Sequence, residues 1–576
     1  MLARRCARAR PDERARGVKL ARRQPDAIQR RREDIVARHG RGFVWRGWRC
    51  IGLRGTRDGR RNPGPRRRRL GVRRVGDSRT AGRASVGQGA GSGLPLSGRA
   101  DGRSLGENDR NGPRRPPREQ ARLRRRRPGP HPASRRARRI VPPVADVRPF
   151  AALRYAAVDS LGAVIAPPYD VVSAAEQDAL HEQDPHNVIR LELARGATDE
   201  PGGGRYARAA DALRQWRRRN VLGLDSIPAF YPYEERFTIG DSDRVRRGLF
   251  AIVRLRPWED RVVLPHERTR PKPKADRLEL LHTCHTQFSP IFSMFEDQDG
   301  AIRESIADAT RAVPIACAQV RPGGPGEIAT SHQLWRIIGE RAEHLTRLFA
   351  NRQLFIADGH HRYETALAYR EARQAASAGV QSIGATDYVM MLLVPVEDPG
   401  LVVLPTHRVV TLPPGIRASD ALCAIERLFE VDVTPLPLGD DPGSAIASEL
   451  TGRGRDGITL ACLGIAPGMV HYLRARALAE SWHAPQTWRD LDVGMLESLA
   501  IEPINYRWPN TSVEFTRDPN EALAHATGAE GNLAFVVNPT GVRQVLKVAR
   551  AGERMPEKST YFAPKVATGV VMYPLG

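Results

Sequence analysis

Beyond residue 144 the apolar positions recur alternately at helical and strand spacing. Tyr206–Arg219 carries Ala209, Ala210, Leu213 and Trp216 on one face of a helix. Ser173, with Glu176 three residues on, forms a capping box that opens a helix running to about Gln183. Phe230–Phe237 and Val245–Leu255 predict two strands joined at Gly240-Asp241, a hairpin signal. Val262–Lys274, rich in proline and charge, predicts an ordered loop. Leu334–Phe349 predicts a helix, Leu354–Ala357 a short buried strand, and Tyr363–Ala376 a second helix. Tyr388–Val396 and Leu401–Leu404 predict strands separated by a turn at Asp398-Pro399-Gly400. After Pro413 the same alternation continues: a helix at Ser419–Leu428, strands at Phe429–Val433, Ile458–Leu463, Met469–Leu473 and Leu533–Val537, and a helix at Gly541–Ala551. This pattern implies an α/β or α+β architecture with a mixed-sheet core. It divides into a main region, 144–412, and a C-terminal α/β region, 413–576, packed on it.

Charge separates the first part of the chain from the rest. Of the 91 Lys and Arg residues 43 lie in residues 1–140, against 11 of the 65 Asp and Glu, a balance of +32. The remainder holds 48 basic and 54 acidic residues, a balance of −6, so the net +26 says nothing about the globular part. Lys19 is the only lysine of the basic segment, and Gly and Pro recur through it. Low hydrophobicity with high charge cannot offset chain entropy, so residues 1–143 are expected to be a disordered Arg-rich extension. Met1–Arg10 has no apolar core of a signal peptide. Binding of nucleic-acid phosphates by this segment is one reading. Translation of GC-rich sequence ahead of the true start is the other, and the one preferred. The mildly acidic globular part is not expected to bind nucleic acid.

Six cysteines without C-x-x-C spacing, four of them in the globular part, argue against a disulfide framework. No apolar run approaches 18 residues, so no membrane span is expected. The compartment implied is the reducing cytoplasm.

Four segments carry candidate chemistry. In the first, the strand Leu354–Ala357 runs into Asp358-Gly359-His360-His361-Arg362 and a helix follows at once. A helix N-terminus offers free N–H groups and positive potential, so a phosphate would meet a prepared site, with Arg362 as a two-pronged donor. Asp358 could hold Mg2+ or orient a histidine, and His360 or His361 could act as acid or base near neutral pH. Such a turn, exposed at a strand end, should accept substitution without loss of the fold. In the second, Val263–Thr269 and the charged stretch after it offer His266, a base in Glu267, and a phosphate-binding Lys274. His282 and His285, three apart, could share a metal if helical. In the third, Pro167-Pro168 fixes the backbone that presents Tyr169 and Asp170. In the fourth, Met555–Lys565 brings Lys558, Ser559 and Thr560 to a loop that could line a phosphate site.

These segments, with Arg148-Pro149-Phe150, Asn187–Leu191, Phe288–Phe292, Leu404–Arg408 and Asn538-Pro539-Thr540, occur in the order seen in the family called domain of unknown function 1015. The chain resembles that family over about residues 146–576, and the family carries no established activity. The Asp358–Arg362 turn is also similar to the phosphate-contacting turn of the ParB/sulfiredoxin-like superfamily, which includes free-serine kinases. That resemblance implies that Gly359 and the amides after it bind a nucleotide phosphate and that Arg362 clamps it. No cysteine lies beside the turn, as a sulfiredoxin requires, and no helix-turn-helix follows it, so the kinase branch is the nearest analogy.

The reading that follows is a phosphotransferase-like enzyme using a nucleoside di- or triphosphate, with Mg2+, on a small hydroxylated metabolite. Asp358, Gly359, His360, His361 and Arg362 form the phosphate and metal site, and Glu267 or Asp170 supplies the base. Two alternatives stand beside it: a metal-dependent hydrolase using His266, Asp358, His360 and His361, and a non-catalytic nucleotide-sensing module.

Overall fold

The computed structural model describes residues 145–576 except 157–160, 198–203, 270, 322–327, 377–382 and 477–483. The expectations for residues 1–143 lie outside the described residues.

The central element is a mixed sheet of nine described strands. From one edge its path runs Val263–Leu264, Leu354–Asp358, Ile291–Phe295, Tyr388–Pro395, Ser242–Arg254, Tyr231–Ile239, Thr330–Leu334 and Ala316–Val320, and Val147–Arg148 pairs beside Ser242–Arg254. Two neighbouring pairs are parallel, Leu354–Phe355 on Val263–Leu264 and Tyr388–Pro395 on Ile291–Phe295; the others are antiparallel. The two-residue strand period divides the apolar side chains cleanly. Leu249, Ala251, Val389, Met391 and Leu393 face a core with the helices Ala301–Ala309 and Glu340–Phe349. Phe250, Ile252, Met390, Leu392 and Val394 face a larger core with the helix Gly204–Arg218.

A second sheet of six described strands is antiparallel throughout, in the order Phe429–Pro435, Met469–Ala475, Thr459–Leu463, Asn532–Val536, His407–Thr411, Ser512–Thr516. Its alternation also sorts two faces. Val409, Ala461, Leu463, Ala534 and Val536 pack with Ile446, Leu450, Ala522 and Ala526, which come from the helices Pro442–Arg453 and Pro519–Gly528. Val410, Leu460, Cys462, Leu533 and Phe535 join the larger core that the first sheet borders. After the helix Val542–Ala551 the chain makes short pairings outside both large sheets. Tyr561–Ala563 pairs with Val402–Leu404, Thr568 bridges Ala166, Met572 bridges Leu153, and Tyr573–Pro574 pairs with Thr286–Gln287.

Most predicted elements stand within a few residues of their expected bounds. The Ser173 capping box is present, and Ala209, Ala210, Leu213 and Trp216 are the buried face of their helix. Two expectations are corrected. The helix expected at Leu334–Phe349 begins only at Glu340, because Trp335 and Ile337 are buried between exposed Arg336 and Ile338, a strand period that continues Thr330–Leu334. Gly339, at φ +61°, makes the turn into the helix. The loop expected at Val262–Lys274 contains a two-residue strand and the start of the helix Pro271–Cys284; proline suits a first helical position because its missing N–H has no helical partner there. Cys284 and Cys462 are buried free thiols. No helix among the described residues is long and apolar enough to cross a membrane.

Candidate functional site

The Leu354–Asp358 strand ends irregularly. Ile356 pairs with Ser293 but Asp358 with Phe292, so Ala357 is an extra residue in the ladder. A bulge of this kind re-aims side chains at a strand end. Ile356 stays in the smaller core, Ala357 turns to the larger one, and Asp358 reaches Lys565, three residues beyond the buried Phe562. Gly359 then adopts φ +93°, which reverses the backbone and lets the 17-residue helix His360–Ala376 begin immediately. A side chain at 359 is strained at that φ, and its Cβ would sit 3.0 Å from Arg362 Nε. Gly359→Ala is therefore expected to cost about 1–3 kcal/mol, read as a lower urea midpoint; an unchanged midpoint would overturn this account of the turn.

Asp358 holds two cations. One carboxylate oxygen accepts from Lys565 Nζ and the other from Arg362 Nη2 at 2.6 Å. Burial would raise the carboxyl pKa, but Lys565 and Arg362 outweigh it and hold Asp358 well below the usual carboxylate range. Arg362 Nη1 also donates to the Pro290 carbonyl. The exposed Asp170 lies within electrostatic reach of both cations.

Behind this group two histidines interlock. Their rings meet edge to face with centroids 4.7 Å apart. The His266 backbone N–H donates to His360 Nε2 at 3.3 Å, which assigns the proton of neutral His360 to Nδ1, 3.9 Å from Glu267 Oε2. His266 Nδ1 faces the Ile356 carbonyl at 2.8 Å, so its Nε2, 3.0 Å from Thr560 Oγ1, accepts the threonine hydroxyl. Burial keeps His266 neutral down to about pH 4 and pushes His360 well below the ordinary histidine range. Burial raises the Glu267 carboxyl, while the Lys558 N–H, donating to Oε1 at 3.2 Å, works the other way. Burial also lowers half-buried His361, which feels Asp170, Glu364, Lys558 and Lys274.

The structure thus brings Asp358, Gly359, His360, His361, Arg362, His266, Glu267, Asp170, Lys558 and Thr560 into one neighbourhood. Lys274 joins through Glu364, whose Oε2 it meets at 2.7 Å alongside Thr269 Oγ1. Ser559 is buried and its hydroxyl donates to the Pro556 carbonyl at 2.6 Å. Mg2+ does not fit at Asp358, because a divalent ion would have to displace Lys565 and Arg362. Among the described residues no three His, Cys, Asp or Glu side chains are grouped to hold a metal. His285, at φ +47°, lies just beyond the end of its helix, and both it and His282 pack on Tyr369. Lys565 was not singled out in the sequence. It stands 207 residues from Asp358, and the only signal for it is its place in the Met555–Lys565 segment.

Comparison with solved structures places a free serine kinase in complex with AMP at 12% identity, covering 54% of this chain and 89% of that one with a TM-score of 0.27. A C-terminally truncated SbnI from Staphylococcus aureus is 13% identical, covering 56% and 87% with a TM-score of 0.28. A conserved hypothetical protein from Pyrococcus furiosus is also 13% identical, covering 53% and 89% with a TM-score of 0.25. Comparison with curated proteins gave no match. The sequence family described as "Protein of unknown function (DUF1015)" matches residues 147–494, with the first sheet, the Asp358–Arg362 turn and much of the second sheet inside the match. Matched over more than half of its length, the chain belongs to the DUF1015 family.

Proposed function

We propose that the protein is a nucleotide-dependent phosphotransferase acting on a small hydroxylated metabolite, with the Asp358–Arg362 turn as its phosphate site. One observation carries this reading: Lys565 and Arg362 share a single carboxylate at the N-terminus of a long helix. Asp358 is in contact with both cations, exposed Asp170 acts on them only from a distance, and the first helical turn adds N–H groups with no partner inside the helix. An anion is the species such a site accommodates. The fields of Lys558 and Lys274 at His361, and of Arg554 at His360, add positive potential to the same turn.

A nucleoside triphosphate bound here would present its terminal phosphorus to the acceptor hydroxyl. The hydroxyl oxygen forms the new P–O bond, the bond from that phosphorus to the bridging oxygen breaks, and a nucleoside diphosphate leaves. The hydroxyl proton passes to a carboxylate. Glu267 suits this role because burial raises its pKa toward the working range of a base, with exposed Asp170 as the alternative. At Asp358 the two side-chain cations supply positive charge where a metal was expected. The hydrolase reading has less support, since both ring nitrogens of His266 are already engaged.

A thermal scan of the full chain with ATP, ADP, CTP and GTP tests the proposal. A ligand at 100 times its Kd stabilises by about 2.7 kcal/mol, so at least one nucleotide should raise the melting temperature by several degrees. Flat profiles with all four would sink it. Phosphate transfer to a hydroxylated acceptor identifies the enzyme, whereas binding without turnover identifies a sensing module.

A further inference from the structure

Two arginines outside the phosphate site are buried almost completely, and neither has a role in the proposed chemistry. Arg246 lies on the Ser242–Arg254 strand of the first sheet, Arg408 on the His407–Thr411 strand of the second, with exposures of 0% and 1%. They bind the same segment at its two ends. Arg408 donates to the Glu557 carbonyl at 2.9 Å and the Lys558 carbonyl at 3.3 Å, and also to the Thr406 carbonyl at 2.7 Å. Arg246 donates to the Ala563 carbonyl at 3.4 Å and the Pro564 carbonyl at 2.8 Å. Each guanidinium thus takes two consecutive carbonyls, a match to its planar fork that an ammonium cannot reproduce. Between and beside the two anchors lie the groups the site uses: the Lys558 N–H on Glu267, Thr560 on His266, and Lys565 on Asp358.

Taking arginine out of water for carbonyl contacts alone is expensive. Arg246 is offset by an ion pair with the equally buried Glu235 and by the Phe292 ring 4.9 Å from its guanidinium carbon. Among the described residues Arg408 has no carboxylate in ion-pair contact. It lies 4.7 Å from the Phe515 ring centroid, within the fields of Glu497, Glu557 and Glu267. Plain hydrophobic packing would fill either position without a buried charge. What the arginines add is a fixed path for the backbone between residues 557 and 564.

We infer that Arg246 and Arg408 are positioning residues: one from each sheet, they clamp the 557–565 segment so that Lys558, Thr560 and Lys565 meet the Asp358–Arg362 turn. The link to catalysis rests on the phosphotransferase reading, but the clamp itself can be tested without it. Amide hydrogen exchange of the full chain reports directly on the segment. Arg408→Lys keeps the charge and removes the fork; the amides of 558–560 should then exchange at least tenfold faster, while those of Tyr388–Pro395 keep their protection. Arg246→Lys should do the same for Ala563 and Lys565. Free guanidinium should restore protection in Arg408→Ala, where it can occupy the vacated space. If Arg408→Ala does not fold, the lysine variant still decides the matter. Unchanged exchange at 558–560 in a folded Arg408→Lys protein overturns the inference. Faster exchange in a protein that binds no nucleotide sustains the clamp and removes the phosphotransferase reading. Where turnover is measurable, it should fall with the loss of protection and return with guanidinium.

Discussion

Asp358→Asn is expected to lower the melting temperature of the full chain by several degrees and to abolish the proposed nucleotide-dependent turnover. The carboxylate is 15% exposed and its partners Lys565 and Arg362 each 11%, so little water screens the group. Removing one partner of a buried ion pair costs about 3–5 kcal/mol because the other charge is left uncompensated. Here two cations would be left, close together. An amide can still accept one hydrogen bond, but it carries no charge to separate them. A turn exposed at a strand end would have tolerated the change, as the sequence suggested; a bulged strand end that turns its carboxylate onto a lysine from the far end of the chain does not. Lys565→Met added to Asp358→Asn should recover part of the lost stability by removing one stranded cation, giving a coupling of opposite sign to an additive pair. A melting temperature equal to the parent's for Asp358→Asn would show that the triad contributes nothing to the fold.

Acid should unfold the protein well above the range in which carboxylates titrate. Burial holds His266 and His407 neutral down to about pH 4 and His332 down to about 3. In the unfolded chain the same imidazoles take up protons as pH falls through about 6.5. Between those limits the unfolded state binds more protons than the folded one, so stability falls with pH. It is fully present above 6.5 and is lost progressively toward 4. A single histidine held to about 4 corresponds to about 3 kcal/mol by linkage, and three act in the same direction. Asp398 opposes them: burial raises its carboxyl to about 6, so protonation below that value favours the folded state. Burial raises Glu235, Glu267, Asp492 and Glu497 in the same sense as Asp398 and lowers His360 in the sense of the other histidines, whose larger shifts set the sign. Thermal melts from pH 7.5 to 4.5 should show a steep decline beginning near 6.5, shallower in His332→Gln. A flat profile over that interval would contradict the buried neutral histidines.

What could be read from sequence is what local periodicity encodes. The Gly204–Arg218 helix shows its buried face in four residues, and the Asp398–Gly400 turn in three; there the Asp398 carboxylate caps the Gly400 N–H at 2.9 Å. Trp335 and Ile337 misled because two apolar residues near a helical run fit either period until Gly339 is given its φ. The Asp358–Arg362 turn was legible because strand, glycine and helix are adjacent in the chain. Its partners were not. Nothing near residue 565 indicates that its ammonium faces a carboxylate 207 residues earlier, and Arg246 and Arg408 look like ordinary strand charges. Only packing shows that both are buried, and only their carbonyl partners say why.

The contact between Arg246 and the Pro564 carbonyl spans 318 residues. At about 5–20 residues per second, a ribosome takes roughly a quarter of a minute to a minute to cover that interval. During that time Glu235 and Arg246 are already made, while the lysine that shares Asp358 with Arg362 does not yet exist. A nascent chain holding the first sheet therefore carries the turn without Lys558, Thr560 or Lys565, so the proposed anion site stays incomplete until residue 565 has been made.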